Sequence, residues 1–135
     1  MPATLIIALV VLHVLSGVFW AGSSFALARI GGNLAERLFR PQMGAATVAI
    51  ATGGVLGFLL HRGTPGIQEH LLAIGALCAM LAAAVQGASA HVVKRLSAAG
   101  AGDAIAASSG VATSQRIAAT LLAVTVICMA AARYA

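Results

Sequence analysis

A histidine lies in the middle of the first apolar stretch of the chain. His13 shares one helical face with Gly17, Trp20 and Ser24, which follow it by four, seven and eleven residues. An ionisable side chain inside hydrocarbon costs about 3 kcal/mol on insertion scales, so by default it indicates a functional site. Gly17 should leave a hollow one turn from the imidazole, where Trp20 is predicted to pack against a bound ring.

This face also allows a purely structural interpretation. His13 would then hydrogen-bond a neighbouring helix, and Trp20 would be ordinary packing. In the cofactor interpretation, the indole N–H of Trp20 is predicted to point at Ser23, Ser24 or an acceptor on the ligand. The two interpretations differ in what the imidazole and the indole bind.

Two of the remaining histidines and two methionines supply candidates for a second ligand. Helical side chains lean toward the N-terminus of their helix, which directs His61 toward His13. The two residues are separated by about 8 Å along the membrane normal, from the rise per helical residue. We favour His61 as the second ligand, while His70, Met80 and Met129 stay open.

These residue types fit a tetrapyrrole better than a bare ion. Haem iron takes His or Met as axial ligands, and a porphyrin needs an apolar slot of the kind that Gly17 and the small-residue faces of later helices provide. Its propionates need cationic donors at the membrane surface, where Arg62 and Arg133 are expected. The absence of Asp and Glu inside the apolar stretches argues against a carboxylate-based ion carrier and a di-iron bundle.

Four apolar stretches, each long enough to cross a bilayer, account for nearly the whole chain. The composition is 61% hydrophobic and 8% charged, with a mean hydropathy of +1.01, which is typical of integral membrane proteins. We therefore predict one all-α domain over residues 1–135, an up-down-up-down four-helix bundle. The predicted spans are residues 3–30, 43–61, 70–93 and 114–134.

The distribution of basic residues predicts the orientation, because short cytoplasmic loops carry the excess of Lys and Arg. Arg62 and Arg133 lie on one side of the predicted bundle. The larger group lies on the other side and comprises Arg29, Arg37, Arg40, Lys94, Arg95 and Arg116. Both termini are thus expected in the periplasm, across a bacterial inner membrane. The net charge of +5 reflects this topology and does not indicate nucleic acid.

The first-helix run LHVLSGVFWAG, in which His13, Trp20 and Gly22 form an H-x(6)-W-x-G arrangement, resembles a known group. It is similar to the opening helix of CopD-type copper-resistance membrane proteins, HemJ-type protoporphyrinogen oxidases and the membrane part of bacterial urate oxidases. The second-helix ending TGGVLGFLLHRG is compatible with that group. The resemblance implies that His13 is a haem or metal ligand.

The chain also departs from each of these relatives. It has Gln86 and Ala-rich sequence where the HemJ-like pattern has a lysine in the third helix. It lacks the cytochrome c region of the urate enzymes and the Met-rich or His-rich clusters of a dedicated copper importer. The resemblance therefore supports the broad group and no single activity within it.

Three functions follow as hypotheses. The first is a haem b-binding redox protein with His13 and His61 as axial ligands, which exchanges electrons with a quinone or a periplasmic partner. The second is a copper or other metal permeation or delivery protein that uses His13, Met80 and His61. The third is a structural subunit of a larger membrane complex. The spacing of Gly53 and Gly57 is compatible with a homodimer.

Overall fold

The protein is a bundle of four long helices. The computed structural model describes residues 3–30, 35–60, 66–96 and 101–135. The helices are α1 (Ala3–Ile30), α2 (Ala35–Leu60), α3 (Ile67–Leu96) and α4 (Ala101–Ala132). Each contains a segment long and apolar enough to cross a membrane, so the predicted all-α class with four membrane-span-capable helices is confirmed.

α1 has the bounds of the predicted first span, whereas α2 is longer than the predicted second span. That span begins at residue 43, and the helix already includes Ala35 and continues through Pro41. The residues before Pro41 are mostly strong helix formers. Helices in membranes also tolerate proline, since neighbouring groups and local adjustments satisfy the carbonyl that it frees.

The start of α4 is likewise earlier than predicted. A loop over residues 97–113 is wrong from Ala101 onward, where the helix begins. Alanine has the highest helix propensity, which favours helix in this Ala-rich segment. The hydroxyl of Thr113 donates to the carbonyl of Ser109 at 3.0 Å, so it bonds within the helix.

A local cap fixes the start of α3. The backbone N–H of Gly66 donates to Oε2 of Glu69 at 2.8 Å, and the backbone N–H of His70 donates to the carbonyl of Gly66 at 3.2 Å. This pairing resembles one half of a capping box, in which the third helical residue reaches back to the cap. The helix consequently starts at Ile67 and not at the predicted residue 70.

Small side chains form the core. Each helix packs against the next along the chain, and α4 also packs against α1. Alanine at the contacts lets helix backbones approach closely, which is the usual way that helices associate in lipid. The main buried cluster consists of Trp20, Ala46, Ala49, Ala79, Ala82, Ala118 and Leu122.

The approach of α3 to α4 is especially close near one glycine. A Cβ built on Gly75 would lie 3.3 Å from the Cβ of Cys128. The hydroxyl of Thr125 donates to the carbonyl of Gly75 at 3.0 Å. A side chain at position 75 would therefore need α4 to shift by a few tenths of an ångström. Cys78 and Cys128 are both free.

The two halves of α1 differ in burial. Its buried side chains are Trp20, Ser24 and Leu27, which all belong to the second half of the helix. In the first half, Val11 is 50% exposed and Leu15 is 63% exposed, as expected of side chains that face lipid. The region around His13 therefore lies at the edge of the bundle.

Gly75→Val is expected to lower the free energy of unfolding by about 1–3 kcal/mol, because the larger side chain overpacks the α3–α4 contact. Unfolding in mixed micelles of mild detergent and SDS, followed by Trp20 fluorescence, measures the change. Gly22→Val is the control, since a Cβ at Gly22 would meet no atom of the described residues within 4 Å. Equal losses in the two variants would contradict the close approach.

Candidate functional site

His13 is half-buried and binds α2 through one ring nitrogen. Its Nδ1 lies 2.9 Å from the carbonyl oxygen of Ala49 and 3.2 Å from the hydroxyl of Thr52. A carbonyl can only accept, so Nδ1 carries the hydrogen and donates it. The hydroxyl of Thr52 donates to the carbonyl of Val48 at 2.6 Å, and its oxygen is therefore an acceptor for His13 as well.

This tautomer determines what the other ring nitrogen can do. With the hydrogen on Nδ1, Nε2 of the neutral imidazole carries the lone pair. Within the described ranges, Nε2 has no hydrogen-bond partner. His13 is thus oriented by α2 and keeps one nitrogen for a ligand. The structural interpretation predicts a hydrogen bond to a neighbouring helix. That bond is present, and it involves Nδ1 of the imidazole and not Nε2.

A glycine on α2 makes room for the imidazole. A Cβ built on Gly53 would lie 2.9 Å from Cε1 and 3.3 Å from Nδ1 of His13. The ring therefore lies directly on the α2 backbone at this point. Gly17, one turn along α1, is open, because a Cβ there would meet no described atom within 4 Å. The predicted hollow beside the imidazole stays a prediction.

The other predicted ligands occupy different positions. His61 and Arg62 lie outside the described residues. Met80 is 51% exposed, and Met129 is partly buried, with its Cγ 3.8 Å from a Cβ built on Gly75. His70 is exposed, and its Nδ1 donates to the carbonyl of Gly66 at 2.6 Å. The choice of a second ligand therefore stays a prediction.

Among the residues that the structure describes, no three His, Cys, Asp or Glu side chains are close enough to hold an ion together. His61 lies outside the described residues, so the metal set of His13, Met80 and His61 stays a prediction. A haem iron needs only one or two protein ligands, since the porphyrin supplies the rest.

A second polar group, which sequence reasoning missed, lies in the core of the bundle. We call it the glutamine cluster. Its five side chains are each at most 2% exposed, and every helix contributes at least one of them. The members are Trp20 and Ser24 of α1, Gln42 of α2, Gln86 of α3 and Gln115 of α4.

Hydrogen bonds connect all members of the glutamine cluster. Nε1–H of Trp20 donates to Oε1 of Gln86 at 2.7 Å. The amide nitrogen of Gln86 donates to Ser24 at 2.8 Å and to Gln115 at 3.0 Å. The amide nitrogen of Gln42 donates to the same two oxygens at 2.9 and 3.2 Å. Gln115 returns a bond to Oε1 of Gln42 at 3.2 Å.

This arrangement corrects the prediction for the indole. The N–H of Trp20 does not point at Ser23, Ser24 or a ligand, because Gln86 accepts it. Ser24 instead donates its hydroxyl to the carbonyl of Trp20 at 2.8 Å and accepts from two glutamines. Trp20 is therefore fixed by the core, with its ring one turn from Gly17.

The sequence did carry a signal for this cluster. In a bilayer, an amide with two donors and an accepting oxygen needs partners from other helices. Each of the last three helices has a glutamine in or beside its apolar stretch, at positions 42, 86 and 115. These three amides, considered together, predict a hydrogen-bonded cluster between the helices. An analysis of the ionisable residues alone does not find it.

No family model, no curated protein and no solved structure matches this chain. Two features of the structure therefore bear on function. They are the orientation of the His13 imidazole by α2 and the open space at Gly17.

Gln86→Leu is expected to destabilise the bundle by about 1–3 kcal/mol. The substitution removes the acceptor of the buried Trp20 N–H and one of the two donors to Oε1 of Gln115. Trp20 is the only tryptophan, so its emission should also shift to shorter wavelength when the indole loses its acceptor. Unfolding in mixed micelles and fluorescence spectra measure both effects.

Gln68→Leu is the matched control, since Gln68 is exposed at the start of α3. It should change neither the stability nor the emission maximum. If Gln86→Leu behaved like this control, the hydrogen bonds of the glutamine cluster would not contribute to the fold as described.

Proposed function

We propose that this protein is a small integral membrane protein that binds haem b and transfers electrons, with His13 as an axial ligand. One observation carries the proposal: Nδ1–H of His13 donates to the Ala49 carbonyl, which leaves Nε2 for iron. Histidines that bind metals almost always donate their other N–H to a carbonyl, carboxylate or water. This bond fixes the ring and increases the basicity of the ligating nitrogen.

The surroundings of His13 fit a flat apolar group. Space is open at Gly17, one turn from His13. The half-buried position of His13 lets a group reach Nε2 from the edge of the bundle. When bound, haem would supply a one-electron redox centre, whose potential depends on the axial ligands and on burial.

The residues of the chain would then have distinct tasks. Ala49 and Thr52 orient the imidazole, and Gly53 provides the room for it. His61 is the favoured second ligand, and Arg62 is the expected partner of a propionate. The proposal also includes a relation to the CopD, HemJ and urate-oxidase group, since His13 is the residue that this resemblance implies as a ligand.

Contacts between α1 and α2 support the up-down-up-down topology. Ser24 meets Gln42, whereas the earlier residue His13 meets the later residue Ala49, so the partners run in opposite directions. With the excess of Lys and Arg in the cytoplasm, both termini lie in the periplasm of a bacterial inner membrane. His13 is then nearer the outer side, where a quinone or a periplasmic protein could exchange electrons.

His13→Ala is expected to abolish the Soret band of protein purified in mild detergent, because iron loses its oriented ligand. Spectra of oxidised and dithionite-reduced samples, with pyridine haemochrome and metal analysis, measure it. His91→Ala is the control, since His91 is not among the candidate ligands, and it should keep the wild-type spectrum. His61→Ala should retain haem but lose the sharp α and β bands of the reduced low-spin centre.

Two outcomes would contradict the proposal. An unchanged spectrum in His13→Ala would remove His13 from the site. A colourless wild-type protein, even after haem is supplied during expression, would rule out the cytochrome function. Stoichiometric copper in that colourless sample would instead favour the metal-delivery hypothesis.

A further inference from the structure

A groove between α1 and α4 combines two arginines with an apolar wall. It lies at the opposite end of α1 from His13. The lining residues are Phe25, Ala28 and Arg29 of α1 and Arg116, Ala119 and Thr120 of α4. We propose that this groove binds an anionic phospholipid, with the phosphate between the two guanidinium groups and an acyl chain along Phe25.

Arg116 is exposed, and the distribution of basic residues assigns it with Arg29 to the cytoplasmic side. A guanidinium at a membrane surface is well placed to pair with an anionic headgroup. Nε–H of Arg116 donates to the carbonyl of Ala28 at 3.4 Å, which holds the side chain across the groove toward α1.

Within the described residues, no side chain supplies an anion for this pair. The chain has only three Asp and Glu residues against eight Lys and Arg. Among the side chains that the structure describes, neither Arg29 nor Arg116 pairs with a carboxylate. Guanidinium groups match the oxygens of a phosphate through paired N–H donors, so a phosphodiester is the complementary partner.

The apolar wall distinguishes a lipid from a free phosphate. Phe25 is 48% exposed, and the partly buried Ala28 lines the groove with it. An inorganic phosphate would leave this surface uncovered, whereas a phospholipid covers it with a chain. Basic sites between transmembrane helices on the cytoplasmic side are typical of binding to anionic headgroups, and the basic-residue asymmetry assigns this end to that side.

Native mass spectrometry of the full chain in neutral detergent tests the proposal, with short-chain phosphatidylglycerol and phosphatidylcholine of equal chain length as probes. The wild type should bind phosphatidylglycerol preferentially. Arg29→Gln and Arg116→Gln should each weaken that binding about fivefold, and the double variant should lose the preference. Arg133→Gln is the control, since Arg133 is exposed at the other end of α4, and it should bind like the wild type.

Three results would overturn the proposal. The first is a wild-type protein without preference for phosphatidylglycerol, a measurement that needs no variant to fold. The second is an unchanged preference in variants whose Trp20 emission shows a native core. The third is displacement of the lipid by equimolar inorganic phosphate, which would identify a phosphate site in place of a lipid site.

Discussion

The hydrogen bonds among Gln42, Gln86, Gln115, Ser24 and Trp20 are the interaction on which the bundle depends. Lipid chains are as apolar as the helices, so the hydrophobic effect does not drive the helices together in the membrane. Amides that enter this environment must instead find partners on neighbouring helices. Because all four helices contribute to one cluster, each is fixed in rotation and in depth relative to the other three.

The position of this cluster explains why the candidate site is elsewhere. It anchors the second half of α1, where Trp20 and Ser24 are buried, and leaves the first half at the edge of the bundle. There, among the described residues, His13 bonds to the carbonyl of Ala49 and the hydroxyl of Thr52 and lies against Gly53. A rigid core thus supports a histidine that is oriented and accessible, as a redox ligand needs to be.

The sequence predicted the helices well and the polar contacts poorly, for physical reasons. Hydropathy over about 20 residues is a strong signal, so the four spans and the bounds of α1 were predictable. Composition near the helix ends is a weak signal, and helix continues through Pro41 and through the Ala-rich start of α4. The partner of Trp20 depends on how distant helices rotate, which no local pattern around Trp20 contains.

The central claim is that α2 holds His13 with the hydrogen on Nδ1 and leaves Nε2 as the ligand. Nitrogen-15 NMR of ring-labelled, haem-free protein, in which His61, His70 and His91 are replaced by glutamine, tests it most directly. The account predicts a protonated Nδ1 and an unprotonated Nε2, and loss of this pattern in Gly53→Val, where the ring is displaced. A single tautomer with the hydrogen on Nε2 would contradict it.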